Sequence, residues 1–224
     1  MTERAIAGTG PEPDADGWMR RFAASARATE AELTALDQRV GDGDFGTNLS
    51  AGVAAALRRA DAAPATDTLE HFAEAFLDEV GGTSGPLFGL LLQEMAEAVG
   101  DGGWTVVALC EGVGEGLAAI RRVGGAAPGD KTLVDALHPA AESLKESAAD
   151  PGRTPGEALA AAAEAAWAGV HRTAGLRARM GRSSYLGDRA TGVPDPGAVG
   201  VALFFASAGG EVRELAPHLD SSGG

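Results

Sequence analysis

Apolar residues recur along most of this chain at alternating steps of three and four, and no run alternates with period two. That pattern calls for helices packed on helices and leaves no stretch that reads as a strand. Met19, Phe22, Ala26, Thr29, Leu33 and Leu36 make the first stripe, one helix face from Gly17 onward, with Thr29 its only polar member. Further stripes predict helices over about 47–59, 67–80, 87–98, 105–122, 133–149, 155–173 and 197–208. Eight helices in all make the base reading an all-α bundle. Thr66 or Asp67 reads as one N-cap, and Thr154-Pro155 with Glu157 behind it as another helix start. Aromatics are few and alanine is abundant, so the core must come mainly from Leu, Val and Ala. Residues 1–16, with Pro11 and Pro13, read as a disordered leader, 17–208 as one domain, and 209–224 as a loose tail.

Several interhelical loops are unusually rich in glycine. The most informative is Asp37-Gln38-Arg39-Val40-Gly41-Asp42-Gly43-Asp44-Phe45-Gly46-Thr47-Asn48. Three carboxylates so close repel one another unless a cation neutralises them. Oxygen-only donors suit a hard ion such as Mg²⁺ or Ca²⁺. An EF-hand starting at Asp42 would need Gly and Glu where the chain has Thr47 and Val53, so that geometry fails. Mg²⁺ takes a few carboxylates and completes its shell with water and phosphate oxygens. The plainer alternative is an ordinary Asp42-Gly43 turn with Asp44 as a solvated helix cap.

Gly81-Gly82-Thr83-Ser84-Gly85-Pro86 is either a phosphate cradle at a helix start or a flexible turn. Gly129-Asp130-Lys131-Thr132 is not a Walker loop, because Asp130 separates Gly129 from Lys131 and no strand precedes it. Asp130 and Thr132 can simply cap the next helix. The segment from Arg179 to Arg189 mixes arginines with small polar residues, and suits either phosphate pairing or internal salt bridges. The four histidines lack metal-ligand spacing, no Gly-x-Ser-x-Gly elbow is present, and Cys110 sits alone in an apolar run. A formal charge of −14 with only two lysines leaves no basic stripe, which argues against nucleic acid as a partner. The N-terminus lacks a secretory pattern and no apolar run has membrane-spanning length, so no membrane association and a cytoplasmic location are expected.

Taken in order, Gly41-Asp42-Gly43-Asp44-Phe45-Gly46-Thr47-Asn48, Gly82-Thr83-Ser84-Gly85-Pro86-Leu87, Gly129-Asp130-Lys131-Thr132, Gly181-Arg182-Ser183-Ser184-Tyr185-Leu186-Gly187 and Asp195-Pro196-Gly197-Ala198 resemble the nucleotide-binding L subunit of dihydroxyacetone kinase. The resemblance covers about 17–208. It implies a barrel of eight antiparallel helices with the nucleotide, ADP or ATP, among the loops at one end. It implies two Mg²⁺ ions held by Asp37, Asp42 and Asp44. It also implies nucleotide contacts from the Phe45-Gly46-Thr47-Asn48 stretch, Thr83, Ser84, Gly124, Thr132, Leu133, Arg182, Asp195, Pro196 and Gly197. The implied partner is a separate K-type subunit that binds dihydroxyacetone. The phosphoryl donor is either exchanging ATP or a phosphocarrier protein of the phosphoenolpyruvate system that recharges bound ADP. The family usually has His where this chain has Phe45, which cannot donate a hydrogen bond. It often has His at Val193 as well. Phe45 motivates an alternative, a non-catalytic nucleotide-binding regulatory module that docks on a transcription factor or another enzyme.

Overall fold

The computed structural model describes residues 14–64 and 67–220, with the backbone alone over 186–189. Its described residues are all-α, without strands: α1 (Ala15–Ala28), α2 (Glu30–Val40), α3 (Phe45–Ala62), α4 (Thr68–Asp78), α5 (Ser84–Gly102), α6 (Val106–Gly124), α7 (Val134–Ala148), α8 (Pro155–Ala174), α9 (Pro196–Ala206) and the short α10 (Ala216–Leu219). A 3₁₀ segment, Arg182–Ala190, lies between α8 and α9. None of these helices is long and apolar enough to cross a membrane.

Local chemistry sets most helix starts. Asp67 accepts from the Leu69 N–H, Thr105 from Ala108, and Asp195 from Ala198. Thr154 and Glu157 form a reciprocal capping box behind Pro155, as the sequence suggests. Thr66, the other cap candidate for α4, lies outside the described residues.

The first expected helix is two helices. The break falls at Thr29, which is fully buried and whose Oγ1 donates to the Ser25 carbonyl one turn back. Such back-bonding bends helices, and the stripe through Leu33 and Leu36 resumes on the new axis as α2. Gly100-Asp101-Gly102, beyond the expected helix end at about 98, is the last turn of α5; Gly103, at φ +68°, leaves the helix. The stretch after Gly209 is anchored and not loose as far as Asp220. Val212 and Leu215 are buried, and the Glu32 carboxylate accepts the Leu215 and Ala216 N–H groups. His218 stacks on Trp167 at 4.6 Å. At the other end, α1 already begins at Ala15, inside the expected leader; residues 1–13 lie outside the described residues.

Consecutive helices pack as neighbours from α2 to α9, and α9 packs back on α1 and α2. Small residues permit close approach. A methyl at Gly112 or Gly116 of α6 would run into the α5 backbone at Met95 or Leu91, which accounts for two of the three glycines inside that helix. Pro139 in α7 cannot donate to the Asp135 carbonyl, and Gly169 of α8 packs directly over that carbonyl. Every residue of α9 from Pro196 to Phe205 is buried. A helix apolar all round belongs at the centre of a core. Trp18 of α1 rests on Phe204 with ring centroids 4.4 Å apart, and its Nε1 donates to the Phe204 carbonyl.

Candidate nucleotide and metal site

The loops that precede α3, α5, α7 and α9 meet around one cavity of about 230 Å³. Asp37 organises the first of them. It sits in the last turn of α2, largely buried, and its Oδ2 accepts the N–H groups of Gly43 at 2.9 Å and Phe45 at 3.2 Å. That folds the chain back on itself through Gly43, whose φ of +79° suits glycine alone. Gly41 is equally constrained, because a Cβ there would collide with the Asp37 carboxylate. The result brings one carboxylate oxygen each of Asp37, Asp42 and Asp44 within 4.8 Å of one another. Asp44 makes no side-chain capping bond to α3, so its carboxylate is not spent on the helix start. The set is oxygen-only, compact and graded from buried to exposed, which fits a hard divalent cation and suits neither zinc nor a soft metal.

Arg182 faces this cluster from the 3₁₀ segment, paired directly with Asp42 and 3.6 Å from Asp44. Ser183 ties that segment to the end of α2 by donating to the Val40 carbonyl at 2.6 Å. Thr83 and Ser84 at the start of α5, Asn48 on the first turn of α3, Gly124 at the end of α6, Thr132 and Leu133 ahead of α7, and Asp195, Pro196 and Gly197 at the start of α9 also line the cavity. Four helix N-termini thus converge on one space, which favours an anionic ligand. Leu87, Phe88 and Ile120 form an apolar wall beside them.

Two residues of the expected set do not line the cavity. Gly46 is buried against the Glu30 carbonyl and Thr34 of α2, and Thr47 points outward. Phe45 lines it too, with its ring turned inward against Gly200 and its N–H already bonded to Asp37.

Sequence reasoning passed over Lys131 and Asp135. Asp135 holds the loop ahead of α7, accepting the Gly129 N–H at 2.6 Å and the Thr132 N–H at 2.9 Å. Thr132 Oγ1 in turn accepts the Val134 N–H, while Asp130 serves the loop through Ala127 and pairs with Arg179. Lys131 is fully buried, and burial pushes its ammonium below its ordinary pKa.

Burial also pushes the Asp195 carboxyl up to about 7, against the pull of the Ala198 N–H and the Lys131 ammonium. A carboxyl whose folded pKa is raised keeps its proton where the unfolded chain has lost it. Its contribution to stability therefore falls as pH rises from about 4 to about 7 and is flat above that. Asp195→Asn preserves an oxygen for the α9 cap and removes the titration. Denaturant melts of both proteins across that window are expected to lie closest near pH 4, where Asp195 is neutral like the amide, and to separate toward pH 7 as the parent loses stability relative to the variant. Parallel curves would contradict the burial of a neutral carboxyl here.

Residues 39–209 match the model of the DAK2 domain. The chain belongs to the DAK2-domain family. It is 37% identical over 179 residues to the PEP-dependent dihydroxyacetone kinase ADP-binding subunit DhaL of Escherichia coli, covering 78% of this chain and 85% of that one. To the corresponding subunit of Listeria innocua it is 31% identical, over 84% of this chain and 90% of the other. It is also 38% identical to an L-erythrulose 1-kinase of Mycolicibacterium smegmatis, over 80% of this chain. The chain spans about a third of the length of that enzyme, 32%. The crystal structure of the dihydroxyacetone kinase from C. freundii in complex with AMP-PNP and Mg²⁺ superposes with a TM-score of 0.63 at 28% identity, covering 93% of this chain and 36% of that one. The chain is thus homologous to kinase ADP-binding subunits and to the DAK2 domains of ketose kinases.

Proposed function

We propose that this chain is the nucleotide-binding subunit of a dihydroxyacetone-type kinase. In this reading its helices form an eight-helix antiparallel barrel that delivers a phosphoryl group, at its loop end, to a triose or similar small ketose held on a separate K-type subunit. The observation that carries it is the convergence of Asp37, Asp42 and Asp44 with four helix N-termini on one cavity. The names of its relatives support ADP as ligand and both dihydroxyacetone and erythrulose as acceptors, and the AMP-PNP complex of the C. freundii kinase supports a nucleoside triphosphate as well. The PEP-dependent relatives support a phosphocarrier protein as donor.

Asp37, Asp42 and Asp44 would hold two Mg²⁺ ions, which when bound offset the charge of the phosphoryl group in transfer. Asp37 fixes the loop as well as offering an oxygen. Thr83, Ser84 and the N–H groups at the start of α5 bind phosphate oxygens and keep their dipoles oriented before any ligand arrives, while the Gly129, Thr132, Asp195 and Ala198 N–H groups hold the neighbouring loops in shape. Arg182 adds a guanidinium that pairs with phosphate or with Asp42. Leu87, Phe88 and Ile120 exclude water beside the base. No side chain here acts as general base toward the sugar; that group belongs to the partner. The Phe45 ring is buried against Gly200 and is not offered to a docking protein, which supports the kinase reading over the regulatory alternative.

Thermal melts test the ligand reading. Mg-ADP at about a hundredfold over Kd is expected to stabilise the fold by ~2.7 kcal/mol, with EDTA reversing the shift. Reconstitution with a K-type subunit, Mg²⁺ and ATP or the phosphocarrier is expected to phosphorylate dihydroxyacetone or erythrulose. A melt indifferent to nucleotide and metal, together with no turnover on either ketose, would overturn the proposal.

A further inference from the structure

Lys131 carries two burdens at once. It is 1% exposed, and it sits at φ +61°, where every other positive-φ position among the described residues is a glycine. A left-handed non-glycine residue is strained, and a buried ammonium is costly unless every direction is answered. Both burdens fall one residue before Thr132-Leu133. Lys131 lines the cavity, and its ammonium donates to two backbone carbonyls, Thr173 at the end of α8 and Val193 just ahead of α9, each at 2.6 Å. Thr173 passes the connection on, since its Oγ1 accepts the Asp195 N–H at 2.9 Å. Gly197 lies under Leu133 so closely that a Cβ there would come within 3.3 Å of the Leu133 Cβ.

We infer that Lys131 is a positioning residue: its ammonium fixes the Thr132-Leu133 loop against the Asp195-Pro196-Gly197 turn, so that two walls of the cavity from opposite parts of the chain keep one separation. The inference rests on the nucleotide reading of that cavity. Asp37, Asp42 and Asp44 lie on α2 and the loop after it and take no bond from Lys131, so the metal cluster is independent of it. The left-handed backbone at Lys131 lets its side chain run along the cavity wall to the Thr173 and Val193 carbonyls while Thr132 lines the same cavity.

The test is Lys131→Met in the full chain, which keeps the apolar stem and removes the ammonium. Mg-ADP affinity by calorimetry is expected to fall about tenfold or more, the scale of one lost charge-assisted pair of bonds. Mn²⁺ affinity without nucleotide is expected to stay unchanged. Amide hydrogen exchange, which needs no ligand, is expected to quicken at Asp195 and Ala198 and to stay as in the parent at Gly43 and Phe45. Unchanged exchange at Asp195 and Ala198, or ADP affinity within about twofold of the parent, would overturn the role of Lys131. A parent protein that binds no nucleotide would instead overturn the functional reading, and exchange would still decide the positioning claim. If Lys131→Met does not fold, Lys131→Gln, which removes the charge and keeps a polar head for one carbonyl, is read in the same two ways. A fall in ADP affinity with Mn²⁺ binding intact supports the inference, and no change in either overturns it.

Discussion

Asp37→Ala is expected to melt well below the parent and to bind Mg-ADP at least about a hundredfold more weakly. The two losses have separate causes in one side chain. Removing the carboxylate strips the Gly43 and Phe45 N–H groups of their acceptor, and a buried unsatisfied donor costs about 1–3 kcal/mol. The loop that presents Asp42 and Asp44 then has no fixed shape. Asp42→Asn and Asp44→Asn remove a charge from the same cluster but no bond from the backbone, so they are expected to weaken Mg-ADP binding with little change in the ligand-free melt. Calorimetry and denaturant melts on the three variants separate the cases. If all three behaved alike in the ligand-free melt, the organising role given to Asp37 would be mistaken.

The local signals in the sequence survive because each is decided within a few residues. Thr154, Pro155 and Glu157 specify a helix start whatever surrounds them. The acid cluster is likewise a matter of eight residues, two of them glycines. That the Gly81-Gly82-Thr83-Ser84 loop, the loop ahead of α7 and the Asp195-Pro196-Gly197 turn share one cavity was legible only through the resemblance of the ordered motifs. Spacing alone says nothing about which loops meet. Other features depend on distant partners. Thr29 reads as a polar member of an unbroken stripe until its hydroxyl is seen to bond Ser25 and the axis to turn. Leu215 and Val212 look like a tail until Glu32 and α8 are placed beside them. Lys131 enters the sequence reading only within the Gly129-Asp130-Lys131-Thr132 motif, and nothing within ten residues of it hints at Thr173 or Val193.

Phe45 shows the same limit, and the structure changes what its substitution should do. From sequence it sits beside the metal loop and seems bound to face the phosphates. In the fold its ring fills the space over Gly200 of α9, where an added Cβ would come within 2.7 Å of Phe45 Cζ and 3.2 Å of Phe88 Cζ. Phe45→Ala is therefore expected to cost ~3–5 kcal/mol of stability through the cavity it leaves. Gly200→Ala is expected to cost ~1–3 kcal/mol in the parent by overpacking, even though alanine is the better helix former. Combined with Phe45→Leu, the same Gly200→Ala has room for its methyl. It should then recover up to about 1 kcal/mol from helix propensity, giving a coupling of roughly 1–4 kcal/mol between the two positions. Chemical denaturation of the single and double variants measures that coupling directly. Additive effects would mean that the ring does not press on Gly200, and Phe45 would return to being a residue of the phosphate loop. Phe45→His, which restores the residue usual in the family, should then be read with this packing in view. A buried imidazole over Gly200 is expected to lower the melt, and tighter Mg-ADP binding is expected only from a ring that has left α9 for the cavity.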